Sequence, residues 1–124
     1  MNIRIKASEY ELTLEARQYL EDRLASLEKM LGDDAALARC EVELGRAAGG
    51  QRHGANMWFA EIHIKSPGGA QVYARNNSES INGAIDDVKE EAERQVRKGR
   101  KLHIRIARKT GSAIKNWLRS GRSQ

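Results

Sequence analysis

The stretch that decides the fold is residues 80–101, SINGAIDDVKEEAERQVRKGRK. Its apolar residues recur at steps of three and four, which aligns them on one face of an α-helix. They are Ile81, Ala84, Ile85, Val88, Ala92 and Val96. Ser80 is the expected N-cap, because its side-chain oxygen can accept a hydrogen bond from a backbone N–H of the first turn. Gly99 is expected to end or loosen this helix, whose apolar face must cover a core.

Charge is divided unevenly along the chain. Residues 1–93 hold 11 Lys and Arg against 17 Asp and Glu, whereas residues 94–124 hold 11 Lys and Arg and no acid. A solvated helix face followed by a solubilising tail would explain an ordinary run of lysines. So many uncompensated positive charges favour a polyanionic partner instead.

Length and composition limit the class of protein. A chain of 124 residues can form one domain with a single core and a short extension. No stretch approaches the ~20 apolar residues of a membrane span, and the N-terminus lacks the apolar region of a signal peptide. The single Cys40 cannot form an internal disulfide and is expected to be a buried strand residue. We therefore expect a cytoplasmic protein that does not bind membranes.

Outside the quoted stretch, the hydrophobic pattern predicts four strands and one more helix. Apolar and polar residues alternate, as in half-buried strands, over residues 2–7, 39–44, 58–65 and 71–75. The helix is expected to run from Leu14 to Leu31, with Thr13 as its N-cap and Gly32 as its end. Its apolar face consists of Ala16, Leu20, Leu24, Leu27 and Leu31.

The order of these elements predicts the architecture. A helix between the first two strands allows them to run parallel, while the short connections make the other strands antiparallel. The glycine-rich residues 45–56 are expected to form a long mobile hairpin loop, and residues 66–69 a tight turn. We predict an α+β fold of order β-α-β-β-β-α. It is a two-layer sandwich with a four-stranded sheet and both helices on one face, similar to a double-stranded RNA-binding domain.

The uncovered face of this sheet offers a second possible RNA site. Phe59 and Tyr73 lie on adjacent strands and form a candidate platform on which bases could stack. Three glutamates of the same face, Glu41, Glu43 and Glu61, would repel a phosphate backbone. A cross-strand aromatic pair that stabilises an exposed sheet is the simpler interpretation.

Residues 102–124 form a basic C-terminal tail. Ile104 and Ile106 alternate with polar residues like a short strand, and residues 112–118 suit one amphipathic turn. Neither segment is long enough to fold alone. We expect the tail to be flexible, with Trp117 as a candidate anchor on a partner.

No pattern of catalytic residues is evident. The three histidines are scattered, no Cys/His/Asp spacing suits zinc, and the glycine-rich loop lacks the Gly-Lys-Ser/Thr ending of a P-loop. Glu90, Glu91 and Glu93 share no apolar pocket that would suit acid catalysis. We expect no enzyme, no cofactor, no metal site and no small-molecule substrate.

Short motifs in both helices resemble those of the hibernation-promoting factor and ribosome-associated inhibitor A family, also called ribosomal subunit interface proteins. In the first helix these are Arg17-Gln18, Asp22-Arg23-Leu24 and Leu27-Glu28-Lys29. In the second they are Ala84-Ile85-Asp86 and Glu93-Arg94-Gln95-Val96-Arg97-Lys98. The resemblance covers about residues 1–101, in register with the predicted order of elements.

The resemblance implies a stress or stationary-phase factor for ribosome hibernation. It would bind the small ribosomal subunit and its rRNA near the decoding centre, within the whole ribosome, and block the sites of messenger and transfer RNA. The family's RNA-binding helix surfaces carry over to Arg23, Lys29, Arg94, Arg97, Lys98 and Lys101. The spacing of the last four independently places them on one helix face, away from the apolar one.

Some features depart from the family pattern. Ser26 and Glu91 stand where family members often have lysine. The tail is too short for the separate dimerisation domain of long members, so pairing of ribosomes stays open. Two other functions stay open as well: a stand-alone module for structured RNA, and an adaptor that acts on a transcription factor through the acidic body.

Overall fold

The computed structural model describes residues 1–47, 57–67 and 71–99, which contain a four-stranded sheet and two long helices. In chain order the elements are β1 (Asn2–Ser8), α1 (Leu14–Leu31), a short 3-10 helix (Gly32–Leu37), β2 (Arg39–Arg46), β3 (Trp58–Lys65), β4 (Gln71–Ser78) and α2 (residues 81–99). The predicted order β-α-β-β-β-α is confirmed. The sequence pattern did not predict the 3-10 helix, because six residues are too few to show a period.

The sheet has the predicted topology. Its strand order is β1-β2-β3-β4, with β1 parallel to β2 and the other two pairs antiparallel. One boundary was wrong, because β2 continues through Gly45 and Arg46 into the segment expected to be a loop. A Cβ at Gly45 would lie 2.1 Å from the carbonyl oxygen of Ser8, so this close approach of β1 requires glycine. Residues 48–56 of the expected loop, and Gly68 and Gly69 of the turn after β3, fall outside the described residues.

Side chains and a glycine define the helix ends. Thr13 Oγ1 accepts a hydrogen bond of 3.1 Å from the Ala16 N–H, which confirms the N-cap of α1. Gly32 has a φ of 61° and donates its N–H to the Lys29 carbonyl, so the chain leaves α1 where glycine is favoured. Ser80 Oγ accepts 3.0 Å from the Gly83 N–H and caps α2. Helix α2 is still helical at Gly99, the residue expected to end or loosen it, and the residues that follow fall outside the described part of the chain.

One apolar core lies between the sheet and the two helices. All five residues of the α1 stripe are buried, as are five of the six in α2, with Ile81 partly exposed. They pack on the inward residues of the strands, among them Cys40, which is free and fully buried. Burial raises the pKa of the Cys40 thiol to about 12, so this cysteine stays protonated. Both helices thus cover the same face of the sheet, as predicted.

The core assignment predicts a large difference between two leucine truncations. Leu27 has 0% of its surface exposed, so Leu27→Ala should lower the free energy of unfolding by about 2–5 kcal/mol. Leu37, 74% exposed, is the matched control, and Leu37→Ala should change it by less than about 0.5 kcal/mol. Chemical denaturation followed by circular dichroism measures both. Equal losses would contradict the assignment of Leu27 to the core.

Candidate nucleic-acid interface

Polar contacts show that α1 and α2 run side by side in the same direction. The Tyr19 hydroxyl donates to Asp86 Oδ2 at 2.6 Å, and Ser26 Oγ donates to Glu93 Oε2 at 3.0 Å. The second contact lies seven residues beyond the first on both helices. The two helices therefore advance in register, and their C-terminal turns lie at the same end of the molecule.

Arg23, one of the predicted RNA-binding residues, is part of the contact between the helices. Its Nε donates to Asp86 Oδ1 at 3.0 Å, and its guanidinium lies 4.0 Å from the centre of the Tyr19 ring. The hydrogen bonds from Tyr19 and then Arg23 hold the pKa of Asp86 below its usual range. The bond to Asp86 raises the pKa of the Tyr19 hydroxyl. Arg23 therefore joins the two helices, with about a third of its side chain exposed.

Ion pairs involve half of the other cations of the helices, three of six in the described residues. Arg17 pairs with Glu21 at 3.1 Å and Lys89 with Glu93 at 3.1 Å. Arg94, predicted as an RNA ligand, is exposed but pairs with Glu91. Ser26, which stands at a lysine position of the family pattern, donates its hydroxyl to Glu93. The seam between the helices is therefore polar and largely neutral.

Three predicted ligands form no ion pair with any residue that the structure describes, although Lys98 is near enough to Glu91 to help lower the pKa of that carboxylate. They are Lys29, in the last turn of α1, and Arg97 and Lys98, in the last turns of α2, all exposed. Since the two helices are parallel and in register, these side chains share one end of the helix layer. We call Lys29, Arg97 and Lys98 the C-terminal basic cluster. Lys101 falls outside the described residues.

Gln95 fixes the end of α2 that carries this cluster. Its side-chain amide donates to the Tyr73 carbonyl at 2.7 Å and accepts from the Tyr73 N–H at 3.0 Å. Because β4 is an edge strand, this amide satisfies backbone groups that no neighbouring strand can reach. Gln95 also donates to Glu91 at 3.0 Å, and this bond, followed by the Arg94 pair, lowers the pKa of Glu91.

Sequence reasoning assigned no role to Gln95. The signal available was a polar residue next to Val96 on the border of the apolar stripe. A glutamine at this position has a side chain long enough to reach the edge of the sheet. Which strand it contacts there depends on the tertiary packing.

An open groove of about 750 Å³ lies between β4 and α2. Its lining mixes both charges, with Arg75, Arg94 and Arg97 beside four carboxylates. The carboxylates are Asp87, Glu90, Glu91 and Glu93. A phosphate backbone would meet repulsion along most of this groove, so the groove is a poor nucleic-acid site except at its Arg97 end.

The outer sheet face does not form the predicted aromatic pair. Tyr73 lies opposite His63 in the register, with ring centres 5.8 Å apart, whereas Phe59 lies opposite Asn77. Phe59 is only 4% exposed, because the Arg75 guanidinium covers its ring at 4.2 Å. Both the base-stacking platform and the Phe59–Tyr73 pair were therefore wrong. The sequence places these residues on one face but does not give the strand register that separates them.

No group of three or more His, Cys, Asp or Glu side chains in the described residues could hold a metal ion. None of the helices described is long and apolar enough to cross a membrane.

Comparison with known proteins gives a family and a fold. The profile of the family described as sigma 54 modulation protein / S30EA ribosomal protein matches residues 3–102. The chain is similar to the crystal structure of the N-terminal domain of Protein Y from Thermus thermophilus, with 29% identity and a TM-score of 0.64 over 79% of this chain and 98% of that one. It shares its fold with a ribosomal subunit interface protein from Coxiella burnetii, at 14% identity and a TM-score of 0.64 over 82% and 99% of the two chains. No curated protein matches.

The contact between the helices predicts a specific response to acid. The pKa of Asp86 is lower in the folded protein than its usual 3.8, so its stabilising contribution is present above that pH and disappears as the pH falls through the folded value. Asp86→Asn should therefore lower the melting temperature at pH 7, and the gap to the wild type should shrink on acidification. Thermal unfolding at pH 7 and at several acidic pH values measures this gap. Asp87→Asn, at an exposed carboxylate without a hydrogen bond or ion pair in the described part, is the control. A gap that stays constant with pH would contradict the contact.

The Gln95 amide predicts local loosening when it is replaced. Gln95→Met keeps the length of the side chain but removes both bonds to Tyr73, which should cost about 1–3 kcal/mol. Hydrogen exchange should speed up at the Tyr73 amide and in the last turns of α2. Gln18→Met, at an exposed position of α1, should leave both unchanged. An unaltered exchange rate at Tyr73 would show that Gln95 does not hold the strand.

Proposed function

This chain belongs to the sigma 54 modulation protein / S30EA ribosomal protein family, and we propose that it is a ribosome hibernation factor. In this role it binds the small ribosomal subunit and its rRNA near the decoding centre, both in isolated subunits and in whole ribosomes. It blocks the sites of messenger and transfer RNA, so translation stops under stress or in stationary phase. A ribosome-bound role places the protein in the cytoplasm and needs no catalysis.

The C-terminal basic cluster is the observation that carries this proposal. Lys29, Arg97 and Lys98 are exposed on two helices that the core and the Tyr19–Asp86 contact hold in a fixed relation. Cations carried by a rigid backbone can contact phosphates without a large loss of backbone freedom on binding. Their contacts release counterions, so binding should weaken steeply with salt. This surface suits the shape and charge of folded RNA better than the edges of single bases.

The remaining predicted ligands have different parts in this proposal. Arg94 can exchange Glu91 for a phosphate, since its ion pair is exposed and therefore weak. Arg23 acts through the packing of α1 on α2, because Asp86 holds its guanidinium. Lys101 and the other cations of residues 100–124 follow Gly99 in the sequence and add positive charge next to the cluster along the chain.

Sedimentation with ribosomal particles tests the function directly. Purified protein should co-sediment with small subunits and whole ribosomes at low salt, and much less at moderate salt. Large subunits alone should not carry it. Binding to short duplex RNAs without binding to any particle would overturn the proposal in favour of a stand-alone RNA-binding module.

Removing two cations of the cluster should weaken this binding without unfolding the domain. Arg97→Ala with Lys98→Ala should lower the affinity for small subunits by about tenfold or more, since a hydrogen bond to a charged group is worth about 1.5–3 kcal/mol. The slope of log affinity against log salt should fall by about one per lost phosphate contact. The control combines Lys6→Ala and Arg17→Ala, which removes the same charge elsewhere. Equal weakening by both pairs would mean that net charge alone drives binding.

Competition tests the location on the subunit. Small subunits loaded with messenger RNA and a P-site transfer RNA should bind the protein less well than empty ones. Undiminished binding to loaded subunits would contradict a site near the decoding centre.

A further inference from the structure

Most basic residues on the outer face of the sheet lie opposite an acid. The strand register gives three such cross-strand pairs: Arg4–Glu41, Lys6–Glu43 and Arg75–Glu61. In the last pair the side chains meet at 2.8 Å. Opposite charges in facing positions stabilise a sheet, so these cations have a structural reason for their place.

Arg39 and Lys65 break this pattern. They lie directly opposite each other on β2 and β3, and both are exposed. Their other neighbours in the row are Asn2 and Gln71, which carry no charge. Neither cation forms an ion pair with any residue that the structure describes. Like charges in facing positions destabilise a sheet, so the facing pair itself does not stabilise the fold; the nearest acid on this face is Glu41, two residues after Arg39 and diagonal to Lys65.

This pair lies at the same end of the molecule as the C-terminal basic cluster. Lys65 ends β3 opposite Gln71, which begins β4, and Tyr73 two residues later holds Gln95 of α2. Arg97 and Lys98 lie beyond Gln95 in the direction of Gln71, since α2 runs back along β4 from its cap at Ser80. The cluster belongs to the helix layer, whereas Arg39 and Lys65 project from the uncovered face. Cations therefore flank one end of the domain on both sides of the sheet.

We propose that Arg39 and Lys65 form a second phosphate-binding site for the RNA that the helix surface binds. This inference rests on the proposed function and extends its footprint around the end of the domain. Facing Cβ atoms in a sheet lie about 4.5–5.5 Å apart, a spacing at which both side chains can reach one phosphate group. The 3-10 helix at this end carries Asp33 and Asp34, which repel a phosphate. The attraction for a phosphate therefore comes from Arg39 and Lys65 themselves and not from the surface around them.

Charge reversal at Lys65 separates a binding role from a structural one, because the two effects have opposite signs. Lys65→Glu replaces a repulsive pair by an attractive one and should raise the melting temperature by about 1–5 °C. The same change should weaken binding to purified small subunits by about tenfold or more and lower the salt slope. A neutral second variant, Arg39→Gln, should also lower the slope, by about one.

The matched control is Arg17→Glu, which changes the net charge equally on the N-terminal half of α1. It should bind small subunits within about threefold of the wild type. If Lys65→Glu and Arg39→Gln bind as tightly as this control while the wild type co-sediments, the second site is wrong and the proposed function stands. If the wild type does not co-sediment with small subunits, both proposals fail.

Discussion

Two apolar helix stripes share one face of a four-stranded sheet, and most of the other features follow from how they are buried. A sheet of this size has room for two helices side by side, and here a single core includes residues of both, such as Leu27 and Ile85, with the inward residues of the strands. Helix α1 starts after β1 and α2 starts after β4, and these two strands run in the same direction, so they finish at the same end of the sheet. The helices must therefore run parallel, so their C-terminal turns meet at the opposite end. The same burial leaves the other face of the sheet uncovered, where charges alternate across the strands.

Polar contacts then decide which charged residues are available to a partner. Asp86 binds Tyr19 and Arg23, Glu91 binds Arg94, and Gln95 binds the edge of β4. These contacts lie along the helices and hold the last turns of α2 in place. They also pair Arg23 and Arg94 with carboxylates, so these two cations are less available to a polyanion than the sequence suggests. The contacts that make the surface rigid thus neutralise some of its positive charges. Among the described residues, the cations without an ion pair are concentrated at one end of the helix layer.

Local patterns were sufficient to predict the four strands and the two long helices, but insufficient to predict the site. Thr13, Ser80 and Gly32 mark helix ends through contacts within three residues, and the strands show a period of two, so these features could be predicted from the sequence. The role of Arg23 depends on Asp86, 63 residues away, and that of Gln95 on Tyr73, 22 residues away. Phe59 and Tyr73 were placed on the correct face, but their pairing required a strand register that alternation alone does not give. The local sequence gives the type of each side chain, but the residue that it contacts depends on the tertiary fold.

The uneven distribution of charge would orient the domain relative to a polyanionic partner. All 17 acidic residues lie in residues 1–93, and the N-terminal halves of both helices carry carboxylates such as Glu15 and Asp86. A polyanion that approaches this half, or the middle of the outer sheet with Glu41 and Glu43, is repelled. Unpaired positive charge of the described residues is concentrated at the end where the helices finish, so in the proposed role this field would turn that end toward RNA before contact is made. An acidic body is therefore compatible with the proposed RNA binding, because it disfavours approaches to the rest of the domain.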